Sequence, residues 1–143
     1  MLKISKKMGY GLMALKYLLE VQNNDPKKLI SVREISDQLS IPFDPLAKVL
    51  QAMNKNDIVS STQGTGGGYQ LGSKLEELSM AQLNHIIEKK MEKACVDCSC
   101  CNLTDTCNVK MPMDTFNQIM MQTLEKIKVI DLLSQDINLE VEE

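Results

Sequence analysis

Residues 31–72 read SVREISDQLSIPFDPLAKVLQAMNKNDIVSSTQGTGGGYQLG, and this stretch decides the fold. Ser31 and Glu34 form a Ser-x-x-Glu capping pattern ahead of an apolar stripe, which predicts a short helix over residues 31–39. Pro42 disfavours helical backbone at the residue before it. We therefore expect this helix to end in a tight turn.

A second short helix should follow that turn. Asp44 is its predicted N-cap, and Pro45 takes the first helical position, which proline favours. Apolar residues then recur at three- and four-residue spacing, as in a helix with one buried face. Two short helices joined by a tight turn are the layout of a helix-turn-helix, whose second helix enters the major groove of DNA. The positions expected to face DNA bases are Asp44, Pro45, Lys48 and Gln51.

The stretch closes with two short predicted strands, residues 58–62 and 69–71, around a glycine-rich tip. A phosphate-binding P-loop is the competing interpretation, but no Gly-Lys-Ser/Thr follows the glycines and no helix comes next. A β-hairpin directly after a helix-turn-helix is a wing, whose glycine backbone can approach a DNA backbone or minor groove closely. The tip glycines are Gly64, Gly66, Gly67 and Gly68.

Three further helices are predicted around this stretch. The first spans about residues 4–22, with Ser5 as a possible cap. The second spans about residues 79–92 and begins with Ser79 and Gln82 in another capping pattern. The third is described next.

The last predicted helix is continuous over residues 113–134, with apolar residues at every third or fourth position. A small chain has little core to cover a helix of about 30 Å. The apolar stripe therefore predicts dimerisation, and packing back on the first helix is the alternative. The residues of this predicted dimer stripe are Phe116, Met120, Leu124, Ile127 and Ile130.

Composition and charge fit a globular protein with two unlike halves. The chain has 143 residues and a formal net charge of −3, with basic residues in excess before residue 76 and acidic residues in excess after it. This asymmetry suggests that only the first half meets a polyanion. No apolar run is long enough to span a membrane, and Lys16 interrupts the apolar N-terminal stretch. We expect an amphipathic first helix rather than a signal peptide, and a cytoplasmic protein.

All five cysteines lie between residues 95 and 107, in a polar segment between two predicted helices. An odd number of thiols in a reducing compartment argues against structural disulfides, and the usual spacer between two pairs of zinc ligands is absent. Cys95, Cys98 and Cys101 follow C-x2-C-x2-C, whereas Cys95, Cys101 and Cys107 follow C-x5-C-x5-C. Both spacings favour an iron–sulfur cluster over zinc.

The sequence resembles the Rrf2 family of winged-helix iron–sulfur transcriptional regulators over about residues 1–133. The matching segments are GYGLMAL in the first helix, SVREISDQLSIP and LAKVLQAMNKNDIVSS in the helix-turn-helix, and GTGGGYQL in the wing. Three cysteines at C-x5-C-x5-C and the long helix after them complete the resemblance. It implies a homodimer in which Cys95, Cys101 and Cys107 hold a [2Fe–2S] or [4Fe–4S] cluster, and in which cluster state controls DNA binding.

The chain departs from this family at the fourth cluster ligand. Some members have His three residues after the third cysteine, where this chain has Lys110, and others have Asp where it has Gly9. His85 is the only histidine, and we expect it to be a surface or packing residue. Cys98 and Cys100 are extra thiols, and Cys98 is the better fourth ligand on its ferredoxin-like spacing. An open or exchangeable fourth position is the other possibility.

Candidates for DNA contact come from the helix-turn-helix, the wing and the basic residues of the first half. The family often has Arg before the wing glycines, where this chain has Gln63, so the attraction of the wing to phosphate should be weaker. The full set of candidates is Lys3, Lys6, Lys7, Arg33, Asp44, Pro45, Lys48, Gln51, Lys55, Gln63, Gly66, Gly67 and Tyr69.

The predicted protein is mainly α with a small β-hairpin. Its expected parts are a winged helix-turn-helix domain (1–92), a cysteine-rich cluster-binding loop (93–112), a dimerisation helix (113–134) and a flexible acidic tail (135–143).

The expected function is a homodimeric transcriptional regulator that represses from a palindromic operator in double-stranded DNA, under control of a cluster sensing iron status, redox state or nitric oxide. A zinc- or thiol-based redox-sensing repressor is the alternative, and a small iron–sulfur electron carrier is a minor one. We expect no enzyme activity, because the sequence has neither paired carboxylates at a suitable spacing nor a nucleophile beside a histidine.

Overall fold

The computed structural model describes residues 4–89 and 106–135. Within these residues it is mainly α-helical with one antiparallel β-hairpin, as the sequence predicts. A short 3-10 helix at Leu75–Glu77 leads into α4. The elements are α1 (Lys6–Asn24), α2 (Val32–Leu39), α3 (Phe43–Asn54), β1 (Val59–Thr62), β2 (Gly68–Leu71), α4 (Met80–Glu88), α5 (Lys110–Lys126) and α6 (Val129–Ser134).

Three of these helices begin at the serine caps that the sequence predicts. The side chains of Ser5, Ser31 and Ser79 each accept a hydrogen bond from the backbone N–H three residues later, at 3.1 to 3.2 Å. At Ser79 the capping box is complete, because its own N–H donates to the side chain of Gln82 at 2.9 Å. Such a cap stabilises a helix by about 1 kcal/mol, and it fixes where the chain enters each helix.

The turn between α2 and α3 is held by Ser36 and Ser40. Ser40 takes a left-handed conformation (φ +53°) that ends α2. The N–H of Ile41 then donates to the carbonyl of Ser36 at 3.1 Å, and the Ser36 hydroxyl donates to the carbonyl of Ile41 at 2.6 Å. These bonds satisfy the exposed carbonyl end of α2 and redirect the chain into α3.

The predicted start of α3 is wrong by two residues. The helix begins at Phe43 with Pro42 as its N-cap, so Asp44 and Pro45 are its second and third residues rather than its cap and first residue. The reason is that the N–H of Leu46 donates to the carbonyl of Pro42 at 3.3 Å, which closes the first turn there. Proline is tolerated because N–H groups of a first helical turn have no partner within the helix, and the Asp44 carboxylate favours the positive end of the helix dipole.

The core lies between α1, α2, α3 and α4. Leu15, Leu18, Ile35, Leu50 and Leu83 have no solvent exposure. The predicted inner stripe of α3 is confirmed as buried. At Gly11 the helices approach so closely that an added Cβ would lie 2.7 Å from Ile87 Cδ1 and 3.3 Å from Val49 Cγ1. A residue without a side chain therefore lets α1 pack against both α3 and α4.

The continuous helix predicted over 113–134 is instead two helices. Ile127 is extended (φ −87°, ψ 113°) and separates α5 from α6. Its carbonyl accepts the N–H of Met80 at 2.8 Å, and the N–H of Val129 donates to the carbonyl of Leu78 at 2.9 Å. This backbone bridge replaces the helical bonds that the break removes, and it directs Val129 and Leu133 into the core.

The described helices include none that is both long and apolar enough to cross a lipid bilayer.

A candidate DNA-binding surface and the cysteine segment

One face of α3 is exposed, polar and partly basic. Asp44, Lys48, Gln51 and Lys55 are exposed and follow one another at three- and four-residue spacing, so they share one side of the helix. The opposite side is buried in the core. Pro45 is half-buried and lies off this row. Three of the four residues predicted to face DNA bases thus have the exposure that such a role needs.

Phe43 is an exposed residue of α3 that sequence reasoning missed. It is the first residue of the helix, and 47% of its surface is exposed. Its three-residue spacing to the buried Leu46 is also the spacing of a core residue, so the sequence alone carried no signal for its exposure.

The wing is fixed to α3 by a side-chain hydrogen bond. Asn54, the last residue of α3, donates from Nδ2 to Oγ of Ser61 on β1 at 3.1 Å. On the other side, the Leu71 N–H donates to Oε1 of Gln22 on α1 at 3.0 Å. The orientation of the hairpin is therefore set by both α3 and α1.

Tyr69, predicted from the sequence only as a DNA contact, also has a structural role. Its N–H donates to the carbonyl of Ile30 at 2.7 Å, and the N–H of Ile30 donates back at 3.0 Å. This two-bond bridge pairs β2 with the segment that precedes α2. The side chain is half-buried, and desolvation by burial raises the pKa of the Tyr69 phenol above its ordinary value of 10.0. Whether Tyr69 also contacts DNA stays a prediction.

The glycines of the wing tip have two different uses. Gly64 and Gly66 have φ of +104° and +76°, which residues with a side chain rarely adopt. Gly67 and Gly68 are required by packing, because an added Cβ would collide with the carbonyl of Thr62 or with the backbone of Ile30. Gln63 and Gly66 are exposed at the tip, and Gly67 is half-buried.

The basic candidates that the structure describes are available for a polyanion. Lys6, Lys7, Arg33, Lys48 and Lys55 are exposed, and none forms an ion pair with an acidic residue in the described part of the chain. Lys3 lies outside the described residues.

Of the predicted cluster ligands, the structure describes Cys107 alone. Its thiol is free and half-buried, three residues before the first residue of α5. Cys95, Cys98 and Cys101, with Cys100, lie outside the described residues, so the ligand set stays a prediction. Within residues 4–89 and 106–135, no group of three or more His, Cys, Asp and Glu side chains has the geometry of a metal site.

The start of α1 and the end of α4 are joined by a side-chain hydrogen bond. The hydroxyl of Ser5, which caps α1, donates to a carboxylate oxygen of Glu88, the last residue of α4. The same hydroxyl accepts the N–H of Met8. One serine therefore holds together the start of the first helix and the end of the helix that leads to the cysteines.

Comparison with known proteins agrees with this architecture. A family model described as "Rrf2: Iron-dependent Transcriptional regulator" matches residues 4–135. The regulator NsrR of Shouchella clausii is 26% identical over 131 residues, which is 88% of this chain and 87% of that protein.

Two solved structures have the same fold. The structure of T. potens IscR has a TM-score of 0.67 at 18% identity and covers 99% of this chain and 93% of that one. The structure of CymR, the global cysteine regulator of B. subtilis, has a TM-score of 0.67 at 21% identity and covers 94% and 98%. These relatives and structural neighbours are transcriptional regulators and not enzymes. Because the family model spans nearly the whole chain, this protein belongs to the Rrf2 family of helix-turn-helix transcriptional regulators.

Proposed function

We propose that this protein is a cytoplasmic, homodimeric repressor whose affinity for a palindromic operator is controlled by an iron–sulfur cluster. Cys95, Cys101 and Cys107 would hold the cluster, with Cys98 as fourth ligand. The observation that carries the proposal is the cysteine spacing, C-x5-C-x5-C, in the segment between α4 and α5 of an Rrf2-family regulator. The alignment with NsrR and the structural match to T. potens IscR both extend over most of this chain.

The available donors fit an iron–sulfur cluster. Thiolates are soft ligands that suit iron–sulfur clusters, and the segment holds more thiols than three ligands require. Cys107 is free and half-buried, three residues before the first residue of α5. When bound, the cluster would supply a redox- and ligand-sensitive centre.

The protein part of the signal path would run through α4. This helix packs on both α1 and α3, and its last residue, Glu88, is bonded to the cap of α1. A change in the cysteine segment that follows α4 can therefore bias how α1 and α3 are held.

Homodimerisation is supported by the surface of α5. No residue of this helix is buried in the protomer, and 80% of Met111, 47% of Phe116 and 55% of Ile119 are exposed. Large apolar side chains exposed together on one helix favour a protein interface. A second copy related by a two-fold axis would also present two α3 helices to successive major grooves.

The residues of the predicted dimer stripe have different environments in the protomer. Leu124, Ile127 and Ile130 pack against the core of their own chain. Phe116 is exposed and Met120 is half-buried, so the proposed interface lies on α5 before Leu124.

A second candidate function is thiol-based sensing without a cluster. One observation in its favour is the adjacent pair Cys100 and Cys101 within a segment of five thiols. Another is the likeness to CymR, since a structure of the Staphylococcus aureus protein is of an oxidized form. Oxidation of a thiol in this segment would then be the signal.

Anaerobic purification followed by absorption spectroscopy and iron and sulfide assays separates the two functions. We expect brown protein with charge-transfer bands and stoichiometric iron and sulfide. Cys101→Ala should lose the cluster, whereas Cys100→Ala, one residue away, should retain it. Colourless protein with stoichiometric zinc, or a Cys101→Ala variant with a full cluster, would contradict the proposal. Peroxide-sensitive DNA binding by iron-free protein would select the second candidate.

A further inference from the structure

Phe43 is the only large apolar side chain that α3 exposes to solvent. Its exposed fraction is 47%, while the other large apolar residues of the helix, Leu46, Val49, Leu50 and Met53, are each 3% exposed or less. Leaving half of an aromatic ring in water forgoes the free energy that burial would supply. A ring at this position is therefore available for contact with another molecule.

The ring lies at the end of α3 that reads DNA in a helix-turn-helix. Residues near the N-terminus of a recognition helix contact the edges of base pairs, and Phe43 is the first residue of α3. It precedes Ala47 and Gln51 at four-residue intervals, so the three residues form one row along the helix. Ala47 is half-buried and Gln51 exposed. The row is thus apolar at Phe43 and Ala47 and polar at Gln51, about two turns after Phe43.

Only one feature of the major groove is apolar. The C5-methyl group of thymine projects into the groove beside hydrogen-bonding atoms of the other bases, and apolar side chains including Phe contact it. A phenyl ring can neither donate nor accept a conventional hydrogen bond, so it distinguishes bases through that methyl group.

We infer that Phe43 is a specificity-determining residue that contacts the 5-methyl group of a thymine in each operator half-site. The inference rests on the proposed docking of α3 in the major groove. It adds an apolar readout to the polar one expected from Asp44, Lys48 and Gln51. The small side chain of Ala47 leaves space for a base edge beside the ring.

Replacing thymine by deoxyuridine tests this contact, because uracil pairs identically and lacks only the methyl group. Full-length protein, purified anaerobically, first selects its site from a random duplex library. Dissociation constants are then measured with each thymine replaced in turn, symmetrically in both half-sites. Burial of one methyl group corresponds to about 0.8 kcal/mol, or about a fourfold change in affinity, per half-site. We expect one thymine position to show about a fifteen-fold loss when both half-sites are changed.

The same replacement in a Phe43→Ala protein should have no further effect, whereas Phe43→Leu should keep part of it. Met13→Ala is the matched control, because Met13 is 42% exposed on α1, away from the recognition helix. It should keep the full sensitivity to uracil. Circular dichroism and thermal unfolding should be used to check that both Phe43 variants are folded.

Two results would overturn the inference. One is a dissociation constant that does not change when uracil replaces thymine at any position. The other is a Phe43→Ala protein whose affinity falls on uracil replacement as much as that of the original chain. In either case, weaker binding by Lys48→Ala and Gln51→Ala would leave the docking of α3 standing. A chain that selects no DNA sequence would instead overturn both the proposed function and this inference.

Discussion

The winged region, which comprises α1 to α4 and the β-hairpin, and helix α5 cover their apolar side chains in different ways. In the winged region, α1, α3 and α4 bury their apolar faces against one another, and several leucines have no exposure at all. Helix α5 has 17 residues and none of them is buried. One region therefore contains its own core, while the other has apolar surface that its own protomer does not cover. The predictions below test whether stability and assembly separate along this division.

The largest effect is expected from the core of the winged region. Leu50→Ala removes a fully buried side chain and should lower the free energy of unfolding by about 3 kcal/mol. Ile119→Ala on α5 should change the free energy of unfolding by less than about 1 kcal/mol, when measured at protein concentrations below the dimer dissociation constant. Urea unfolding followed by circular dichroism measures both. Equal losses of unfolding free energy in the two variants would contradict the proposed difference between the winged region and α5.

A smaller loss is expected where the wing meets the chain before α2. In Gly68→Ala, the new Cβ would lie 2.6 to 2.8 Å from the backbone of Ile30, so the strand must move and weaken the two hydrogen bonds between Ile30 and Tyr69. We expect a loss of about 2 kcal/mol.

Gly9→Ala is the matched control for that change, because nothing lies within 4 Å of its added Cβ. Alanine favours a helix over glycine, so this variant should be as stable as the original chain or slightly more so. A Gly68→Ala protein of unchanged stability would show that the bridge to Ile30 does not hold the wing.

On α5, the expected effect is on assembly. Phe116→Ser should raise the dimer dissociation constant about tenfold or more, since it removes an exposed aromatic side chain from the proposed interface. Met13→Ser, also an exposed apolar residue, should leave the constant unchanged. Sedimentation equilibrium measures it. A monomer–dimer equilibrium insensitive to Phe116 would place the interface elsewhere.

The smallest effect concerns the bond between α3 and the wing. Asn54→Ala removes the hydrogen bond to Ser61 and should weaken operator binding about fivefold, with a loss of stability of about 1 kcal/mol. Asn56→Ala is the control, because in the described part of the chain the Asn56 side chain donates only to the carbonyl of Ala52 in α3, and not to the wing. Fluorescence anisotropy with a labelled operator compares them. Equal binding by both variants would mean that the wing does not depend on Asn54 for its orientation.

Sequence patterns predicted the features that depend on nearby residues. The caps at Ser5, Ser31 and Ser79 follow from contacts three residues apart, and the buried stripe of α3 follows from helical periodicity. The break at Ile127 could not be found in this way. It depends on backbone bonds to Leu78 and Met80, far away in the sequence, and these override an uninterrupted apolar pattern.

The candidate site likewise has some features that local sequence patterns predict and others that they do not. Exposure of Asp44, Lys48 and Gln51 follows from the periodicity that buries the opposite face. The exposure of Phe43 and the structural use of Tyr69 depend on where α3 begins and on which segment β2 pairs with, and local patterns specify neither.

The bridge between residues 78–80 and 127–129 also changes what a truncation would remove. Because α4 and Val129 belong to one core, the cysteine segment and α5, which lie between them in the sequence, form an insertion within one folded unit rather than an appendage at its end. Deletion of everything after Lys126 would keep the proposed dimer surface but take Val129 and Leu133 out of the core. A proteolytic cut within the insertion would instead leave two fragments that are still held together by a common core.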